Sequence, residues 1–301
     1  MTRRVLLQLD ADPQPSTFDA IVAVDAGVDV LLRHGGVTPE SAVPLVHGGM
    51  FTRGGKDLAS TAIFVGGSDV PAAEAIFRQV QKTFFGPVRV GVMLDPSGAN
   101  TTAAAAVVVA ARHANLANSK AVVLGGSGPV GRRVVRLLAR QGCVVGVASR
   151  SVSRAEAVCQ AVASEVSGAQ LQPVEATTDA CAIPHGPLCD LLREADVVVA
   201  AGAAGIRLLG SEGRRLCGRA RVFVDLNAVP PEGIEGIQAA DTGRVLSDDE
   251  RGAEMSAVAY GALGVGGVKM KIHREAVRQI FTSNSACLDA EEMLEIGRTV
   301  S

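Results

Sequence analysis

The chain has 301 residues, 48% hydrophobic and 20% charged, with a formal net charge of -2. This length is enough for about two domains with large cores. A nearly balanced charge argues against a nucleic-acid binder, which needs a basic face to follow the phosphates. One Tyr and no Trp also argue against a base-stacking surface.

The amino-terminal sequence predicts neither a secretory leader nor a membrane anchor. Asp10 and Asp12 interrupt it before an apolar run of signal-peptide length. The nearest candidate for a membrane span, residues 101–111, is about half the length that crosses a bilayer. We therefore expect a cytoplasmic protein that contacts neither membrane nor nucleic acid.

Apolar runs alternate with segments of helical period in the first hundred residues. Strands are predicted at 4–9, 28–32, 61–65 and 88–94, and helices at 16–26 and 68–85. In the second helix the apolar residues Ala73, Ile76, Phe77 and Val80 share one face. The loop 95–98 then leads into an Ala-rich helix that starts near Asn100.

A second series of the same kind follows. Strands are predicted at 121–124, 144–148, 171–174, 196–200 and 221–226, and helices at 130–140, 153–166, 188–194, 268–281 and 289–298. The acidic segment 241–256 is predicted to be a surface loop, and the Gly-rich stretch 261–267 to be flexible. Strands that alternate with helices predict right-handed βαβ units, so we expect an α/β fold with parallel sheets.

The most specific local motif lies between strand 121–124 and helix 130–140. Gly126, Gly128 and Gly131 match G-x-G-x-x-G, in the strand–turn–helix context that the motif requires. In this motif the glycines permit a tight turn, close approach of the backbone to a pyrophosphate, and close helix packing. The predicted dinucleotide-binding loop also includes Ser127, Pro129 and Val130. A glycine-rich turn without a ligand is the alternative.

The end of the next strand indicates which cofactor binds. An NAD site usually has Asp or Glu there, which binds the ribose 2′-hydroxyl. This strand ends in Ser149 and Arg150, with Arg154 one helical turn later. A hydroxyl and a guanidinium suit a 2′-phosphate, so we predict NADP. Arginines that are merely solvated surface charges are the alternative.

Later strand ends supply further candidate contacts to the cofactor. Small residues follow strand 196–200, which suits a backbone lying against a ribose or nicotinamide. Asn227 could hydrogen-bond the carboxamide, and it is equally suited to stabilising a turn. These further candidates are Ala201, Gly202, Ala203, Asn227, Gly264 and Gly266.

Polar side chains elsewhere are candidates for binding a substrate. Some follow the strand 88–94 and open the next helix, where an N-cap cluster is the alternative role. Lys269, Lys271 and His273 follow the glycines, and cationic groups there could hold an acidic part of a substrate. The candidate substrate-binding residues are Asp19, Asp95, Asn100, Thr101, Thr102 and His273; the candidate orienting groups in catalysis are Lys56, Lys269 and Lys271.

Two other kinds of site have little support. Cys181, His185 and Cys189 are possible zinc ligands, but they lack a second ligand pair and lie among prolines and glycines. No metal is therefore predicted. The chain has no G-x-S-x-G motif to indicate a serine hydrolase.

The order of these segments resembles the methylene-tetrahydromethanopterin dehydrogenases of one-carbon metabolism. The likeness covers nearly the whole chain. The segments that carry it are 51–56, 60–67, 84–87, 93–103, the phosphate loop, 225–231 and 261–274. The resemblance implies hydride transfer from methylene-tetrahydromethanopterin, methylene-tetrahydrofolate or both to NADP, which gives the methenyl form.

The resemblance also implies two α/β domains flanking a cleft, the second a Rossmann-type doubly wound parallel sheet. We expect a pterin domain at 1–105, completed by 275–301, and an NADP domain at 106–274. The hydrophobic composition favours a homo-oligomer.

The bifunctional folate dehydrogenase/cyclohydrolases have a similar architecture, but their cyclohydrolase chemistry relies on a Tyr-x-x-x-Lys pair in the first domain. Here the one tyrosine is Tyr260, and Phe51 precedes Lys56, so we expect no cyclohydrolase activity. Two other functions stay open: a shikimate-type NADP-dependent dehydrogenase, or an NADP-binding sensor without catalysis.

Overall fold

The computed structural model describes residues 2–176, 185–246 and 256–301. The chain divides into two compact units, which we call unit 1 (Met1–Thr101 with Met270–Ser301) and unit 2 (Thr102–Lys269). Each unit has helices packed on a largely parallel sheet. The predicted α/β fold class, with two parallel-sheet domains, is confirmed.

The elements are numbered along the chain. The strands are β1 (Val5–Asp10), β2 (Val30–His34), β3 (Thr61–Gly66), β4 (Gly91–Leu94), β5 (Lys120–Leu124), β6 (Val144–Ser149), β7 (Gln170–Glu175), β8 (Val197–Ala200), β9 (Val222–Asp225), β10 (Thr242–Leu246), β11 (Ala257–Tyr260) and β12 (Cys287–Leu288). The helices are α1 (Thr17–Asp25), α2 (Pro39–Phe51), α3 (Val70–Thr83), α4 (Ala99–Ala111), α5 (Pro129–Arg140), α6 (Val152–Glu165), α7 (Pro187–Glu194), α8 (Ser211–Leu216), α9 (Ala262–Gln279) and α10 (Ala290–Val300). Within the described ranges, no helix is both long enough and apolar enough to cross a membrane.

The sheet of unit 1 has the order β12-β4-β3-β1-β2, and all of its strand pairs are parallel. Every residue of β3 and β4 is buried, as expected for strands covered by helices on both faces. The chain runs in opposite directions across the sheet from β1, which makes β1 and β3 a switch point. In open α/β sheets, ligands bind outside the carboxyl ends of the strands at such a point.

The sheet of unit 2 has the order β10-β11-β9-β8-β5-β6-β7, with β10 antiparallel and the other pairs parallel. Its six parallel strands follow the Rossmann order, with the switch point between β5 and β8. Their side chains contribute to a continuous apolar core that includes Val122, Val198 and Phe223.

Local sequence explains how the helices of unit 1 begin. Ser16 caps α1, because its hydroxyl accepts a hydrogen bond from the Asp19 amide at 3.2 Å. Asp69 caps α3 in the same way. The apolar face predicted for α3 is confirmed: Ala73, Ile76, Phe77 and Val80 are all buried.

Helix α2 was not predicted, because an internal proline and two glycines obscure its period. Thr38 and Ser41 form a capping box at its start, and Pro39 occupies the first turn, where proline is tolerated. Ala42, Val46 and Met50 are its fully buried apolar side chains. The capping signal was therefore present in the sequence and was a better guide than periodicity.

Two predictions for the region after residue 240 are wrong. Thr242–Leu246 is strand β10 rather than part of a surface loop; residues 247–255 of that predicted loop lie outside the described residues. The glycines 261–267 are not a flexible linker, because α9 already begins at Ala262. A Cβ on Gly264 would lie 2.0 Å from the Asp241 carbonyl oxygen, so close packing explains that glycine.

Candidate functional site

The turn between β5 and α5 is tightly closed by its glycines. Gly125 has φ +73°, a left-handed conformation that favours glycine, and its carbonyl accepts a hydrogen bond from the Gly128 amide at 3.0 Å. A Cβ on Gly131 would lie 2.3 Å from that same carbonyl oxygen. The amino end of α5 therefore packs directly against the turn, and its first-turn amides and helix dipole suit an anion.

A cavity of about 350 Å³ lies over this turn at the carboxyl ends of the strands. Small side chains and exposed backbone form much of its wall, and the two arginines that follow β6 also line it. Nine predicted cofactor contacts line this cavity: Ser127, Gly128, Pro129, Ser149, Arg150, Arg154, Ala201, Gly202 and Ala203. Residues predicted from separate strand ends thus meet around one space.

The end of β6 combines a fixed hydroxyl with exposed cations. Ser149 is buried, and its hydroxyl lies 2.8 Å from that of Ser127 in the phosphate loop. Arg150 and Arg154 follow it and are exposed. Ser149 and Arg150 occupy the end of β6 where an NAD site usually has a carboxylate, so the residues of this strand end favour an anionic group over a bare ribose hydroxyl.

The other predicted cofactor contacts do not line the cavity. Gly126 and Gly131 shape the turn, and Val130 lies in the first turn of α5. The Asn227 side chain accepts hydrogen bonds from the Gly205 and Val229 amides and donates one to the Pro231 carbonyl. Its observed contacts are those of the turn-stabilising role. Gly264 and Gly266 lie within α9.

Asp225, at the end of β9, organises the same turn. Its carboxylate accepts hydrogen bonds from the amides of Asn227 at 3.0 Å and Ile234 at 2.9 Å. Burial raises the pKa of this carboxyl, while those hydrogen bonds act in the opposite direction. Asp225 is thus a structural group beside the cavity rather than a residue of its wall.

Some cavity residues were missed by the sequence reasoning. They are Leu124, Gly125, Ala176, Ile206 and Leu208. Ala176 directly follows β7, and its amide donates to the Ser149 carbonyl at 2.8 Å. The predicted strand 171–174 was the one strand of the second series whose carboxyl end was not considered, and Ala176 lies two residues after it. Ile206 and Leu208 lie in an irregular segment that carries no comparable signal.

In unit 1, several predicted substrate-binding residues gather at the carboxyl end of β4. Asp95 and His273 are fully buried, and Asp19 is 8% exposed. The two ring nitrogens of His273 lie 3.8 Å from Asp95 Oδ2 and 3.9 Å from Asp19 Oδ1. These distances allow electrostatic pairing with a protonated ring but exceed direct hydrogen-bond lengths. We call these three residues the aspartate–histidine cluster.

Hydrogen bonds fix one end of the cluster. Asp95 accepts from the Thr101 hydroxyl at 2.7 Å and from the amides of Asn100 and Thr101 at 2.9 and 3.1 Å. The Asn100 side chain donates to the Leu94 carbonyl and to Asp289. Asn100 and Thr101 are therefore engaged in shaping the end of β4, as in the N-cap alternative, and Thr102 is half-buried on α4.

The predicted lysines are not part of this cluster. Lys56 is exposed in the 3-10 turn Gly55–Ser60, which precedes β3 and so lies at the amino end of the sheet, whereas Asp95 lies at the carboxyl end. Lys269 is half-buried and Lys271 is exposed on α9. The predicted helix 268–281 placed these two lysines at its start. They lie within α9 instead, because α9 begins at Ala262, seven residues before Lys269.

The described residues contain no group of three or more His, Cys, Asp and Glu side chains that could hold a metal ion. Of the weak zinc candidates, Cys181 lies outside the described residues. His185 is exposed just before α7, and Cys189 is buried on that helix.

Family models match both halves of the chain. Residues 17–97 match the amino-terminal domain of methylene-tetrahydromethanopterin dehydrogenase. Residues 108–250 match the shikimate / quinate 5-dehydrogenase model. Among solved structures, the ligand-free 5-ketofructose reductase of Gluconobacter sp. strain CHM43 aligns with a TM-score of 0.51 and 11% identity, covering 99% of each chain. At that identity the likeness concerns the fold alone.

Two relatives from Methylorubrum extorquens strain AM1 align along essentially their whole length. The protein described as bifunctional protein MdtA is 40% identical over 303 residues, which covers 100% of both chains. An NAD(P)-dependent methylenetetrahydromethanopterin dehydrogenase is 28% identical over 304 residues, which covers 98% of both. By its amino-terminal match and these full-length relatives, the chain belongs to the methylene-tetrahydromethanopterin dehydrogenase family.

Proposed function

We propose that this protein is an NADP-dependent dehydrogenase of one-carbon metabolism. Its substrate is methylene-tetrahydromethanopterin, methylene-tetrahydrofolate or both, and its product is the methenyl form. The cavity over the glycine turn carries this proposal, because Ser149 and Arg150 stand where an NAD site usually has a carboxylate. Family membership supports the choice of a tetrahydropterin as substrate.

The cavity residues fit a dinucleotide phosphate. The amino end of α5 and the backbone around Ser127 and Gly128 would hold the pyrophosphate. Arg150 and Arg154 would hold the 2′-phosphate with charge-assisted hydrogen bonds, beside the Ser149 hydroxyl. A nicotinamide dinucleotide held there would supply the hydride acceptor. Ala201, Gly202 and Ala203 leave room for the sugar or ring to lie against the backbone.

The protein's contribution to the reaction is alignment and electrostatics. The two nitrogens beside the methylene carbon stabilise the cation that forms as hydride leaves, so no side chain has to transfer a proton. Orientation alone can lower a barrier by several kcal/mol. In this proposal unit 1 binds the tetrahydropterin, unit 2 binds NADP, and Lys269 and Lys271 orient rather than catalyse.

The proposed enzyme does not hydrolyse its methenyl product. Cyclohydrolase chemistry of the folate enzymes relies on a first-domain Tyr-x-x-x-Lys pair, and Phe51 stands before Lys56 here. Tyr260 is in unit 2, where its hydroxyl lies 3.0 Å from His113. Its position and partner both support an enzyme limited to the dehydrogenase reaction.

The test is a matrix of two tetrahydropterins and two nicotinamide cofactors. Purified protein should form reduced cofactor and methenyl product with at least one pterin, with NADP strongly preferred over NAD. The methenyl product should decay no faster than in buffer. A protein that binds NADP and turns over neither pterin would be a sensor. Turnover of a hydroxy acid instead would favour the hypothesis of a shikimate-type dehydrogenase.

A further inference from the structure

Two members of the aspartate–histidine cluster, Asp95 and His273, have no exposed surface through which to touch a ligand. His273 is fully buried, so a substrate has no access to its ring in this structure. It nevertheless lies between two carboxylates, one from the end of β4 and one from the first turn of α1. A fully buried ring between two carboxylates can affect a bound ligand only through the side chains that surround it.

Packing fixes the plane of this ring. The Phe64 ring stacks on it, with centroids 5.8 Å apart and an interplanar angle of 12°. Phe64 is itself 2% exposed on β3, in the middle of the sheet. On one side of the ring, Asp95 is anchored by the three hydrogen bonds from Asn100 and Thr101. The imidazole therefore has a fixed orientation relative to the sheet.

On the other side, Asp19 is the member of the cluster that reaches the surface. About 9% of its side chain is exposed, against 0% for Asp95 and His273. It lies in the first turn of α1, directly after the β1 loop, beside the switch point of the unit 1 sheet. Ligands of open α/β sheets bind at that point, so Asp19 is the member placed to meet one.

Resting on the proposed function, we propose that His273 is a positioning residue that acts through Asp19. Asp95 holds the ring, the ring holds the Asp19 carboxylate in one orientation, and that carboxylate accepts hydrogen bonds from N–H groups of the tetrahydropterin ring. An ionised carboxylate only accepts hydrogen bonds, and adjacent N–H donors of a reduced pterin match its two oxygens. The sequence predicts a direct contact between His273 and the substrate. In this proposal His273 acts on the substrate indirectly, through Asp19.

A double-mutant cycle on the full chain tests this proposal. Asp19→Asn should raise KM for the tetrahydropterin on the order of 10–100-fold, as expected when a hydrogen bond to a charged group is lost. His273→Gln should raise the same KM by about 3–10-fold, a smaller effect because Asp19 remains. Both variants should leave kcat and the Kd for NADP within about 2-fold, since those reflect other groups. The double variant should be no worse than Asp19→Asn alone.

Controls separate positioning from stability. Asp25→Asn removes an exposed carboxylate from the same helix α1 and should leave KM unchanged. If His273→Gln does not fold, Thr101→Val is the milder second variant, because it removes one hydrogen bond from Asp95. It should raise the pterin KM by about 2–5-fold, and again add nothing to Asp19→Asn.

Each contrary outcome has a distinct meaning. Additive effects of His273→Gln and Asp19→Asn, or a fall in kcat at unchanged KM, would overturn the positioning role while leaving the dehydrogenase intact. Wild-type protein that turns over no tetrahydropterin would overturn the proposed function, and the positioning role with it.

Discussion

The two units present their candidate ligand groups in different ways. In unit 2 the candidate anion site is largely backbone: a glycine turn and the amino end of α5, with cations at the rim. In unit 1 the candidate site is made of side chains, and its charged groups are buried among β3, β4, α1 and α9. A backbone site tolerates changes of side chain but not of glycine spacing. A side-chain site depends on residues far apart in the sequence.

The largest effect should come from adding one methyl group to the backbone site. In Gly131→Ala the new Cβ would lie 2.3 Å from the Gly125 carbonyl oxygen, and neither backbone segment can move without opening the turn. We expect a loss of about 3 kcal/mol or more in unfolding free energy, and an NADP Kd raised on the order of 100-fold, since about 1.4 kcal/mol corresponds to tenfold.

Gly267→Ala is the matched control. A Cβ there meets nothing within 4 Å, and alanine is favoured over glycine in a helix such as α9. Titration of NADP and thermal unfolding of both variants would check the prediction. Native-like affinity in Gly131→Ala would mean that the turn does not need this packing.

A comparable change in unit 1 should lower the free energy of unfolding without changing the affinity for NADP. Asp95→Ala removes the acceptor of three buried hydrogen bonds and leaves the Thr101 hydroxyl without that acceptor. We expect a loss of about 2–3 kcal/mol in unfolding free energy, measured by urea titration. The Kd for NADP should stay within about 2-fold, because the two sites lie in separate units.

The control for that variant is Asp69→Ala, which removes the exposed N-cap side chain of α3. It should lower the free energy of unfolding by about 1 kcal/mol. If Asp95→Ala lowered the free energy of unfolding no more than Asp69→Ala does, the buried cluster would not be the rigid support that its hydrogen bonds indicate.

The same contrast explains what the sequence could predict. Gly126, Gly128 and Gly131 stand within six residues, so one local motif revealed the turn, the helix and the strand before it. Ser149 and Arg150 follow from counting to the next strand end. By contrast, Asp19, Asp95 and His273 could be named as candidates, but nothing local indicates that they meet, because tertiary packing brings them together.

The errors in the fold have a similar origin. Gly264 looked flexible because a glycine's packing partner is invisible in the sequence, and here that partner is the backbone of Asp241. Strand β10 was missed because it is an edge strand: among the described strands it pairs with β11, which follows it after ten residues in the chain. Both features depend on pairing or packing partners elsewhere in the fold, which the periodicity of a segment does not indicate.

A cation at the rim should have a narrower effect than the glycine turn. Arg150→Ala should weaken NADP binding by about 1.5–3 kcal/mol, the range for a hydrogen bond to a charged group, and should barely change NAD binding. Arg193→Ala, which removes an exposed arginine of α7 paired with Asp190, is the control. An equal loss for both cofactors would show that Arg150 does not contact the 2′-phosphate.

The smallest effect concerns a titrating side chain of unit 2 outside the cavity. His113 Nε2 lies 3.0 Å from the Tyr260 hydroxyl, and burial, together with the charge of Arg112, lowers the pKa of His113. The unfolded chain therefore takes up a proton on this ring at a higher pH than the folded unit does. Its neutral form contributes stability above the unfolded pKa of about 6.5, and that contribution is lost as pH falls.

His113→Gln keeps a polar partner for Tyr260 but cannot titrate. We expect the fall in Tm between pH 7.5 and pH 5.5 to be smaller in this variant by roughly 1 °C, because a half-exposed group contributes only a few tenths of a kcal/mol. Differential scanning of both proteins across that range would measure it, with His185→Gln, at an exposed position before α7, as the control. Parallel curves for wild type and His113→Gln would mean that the acid sensitivity of unit 2 arises from other groups.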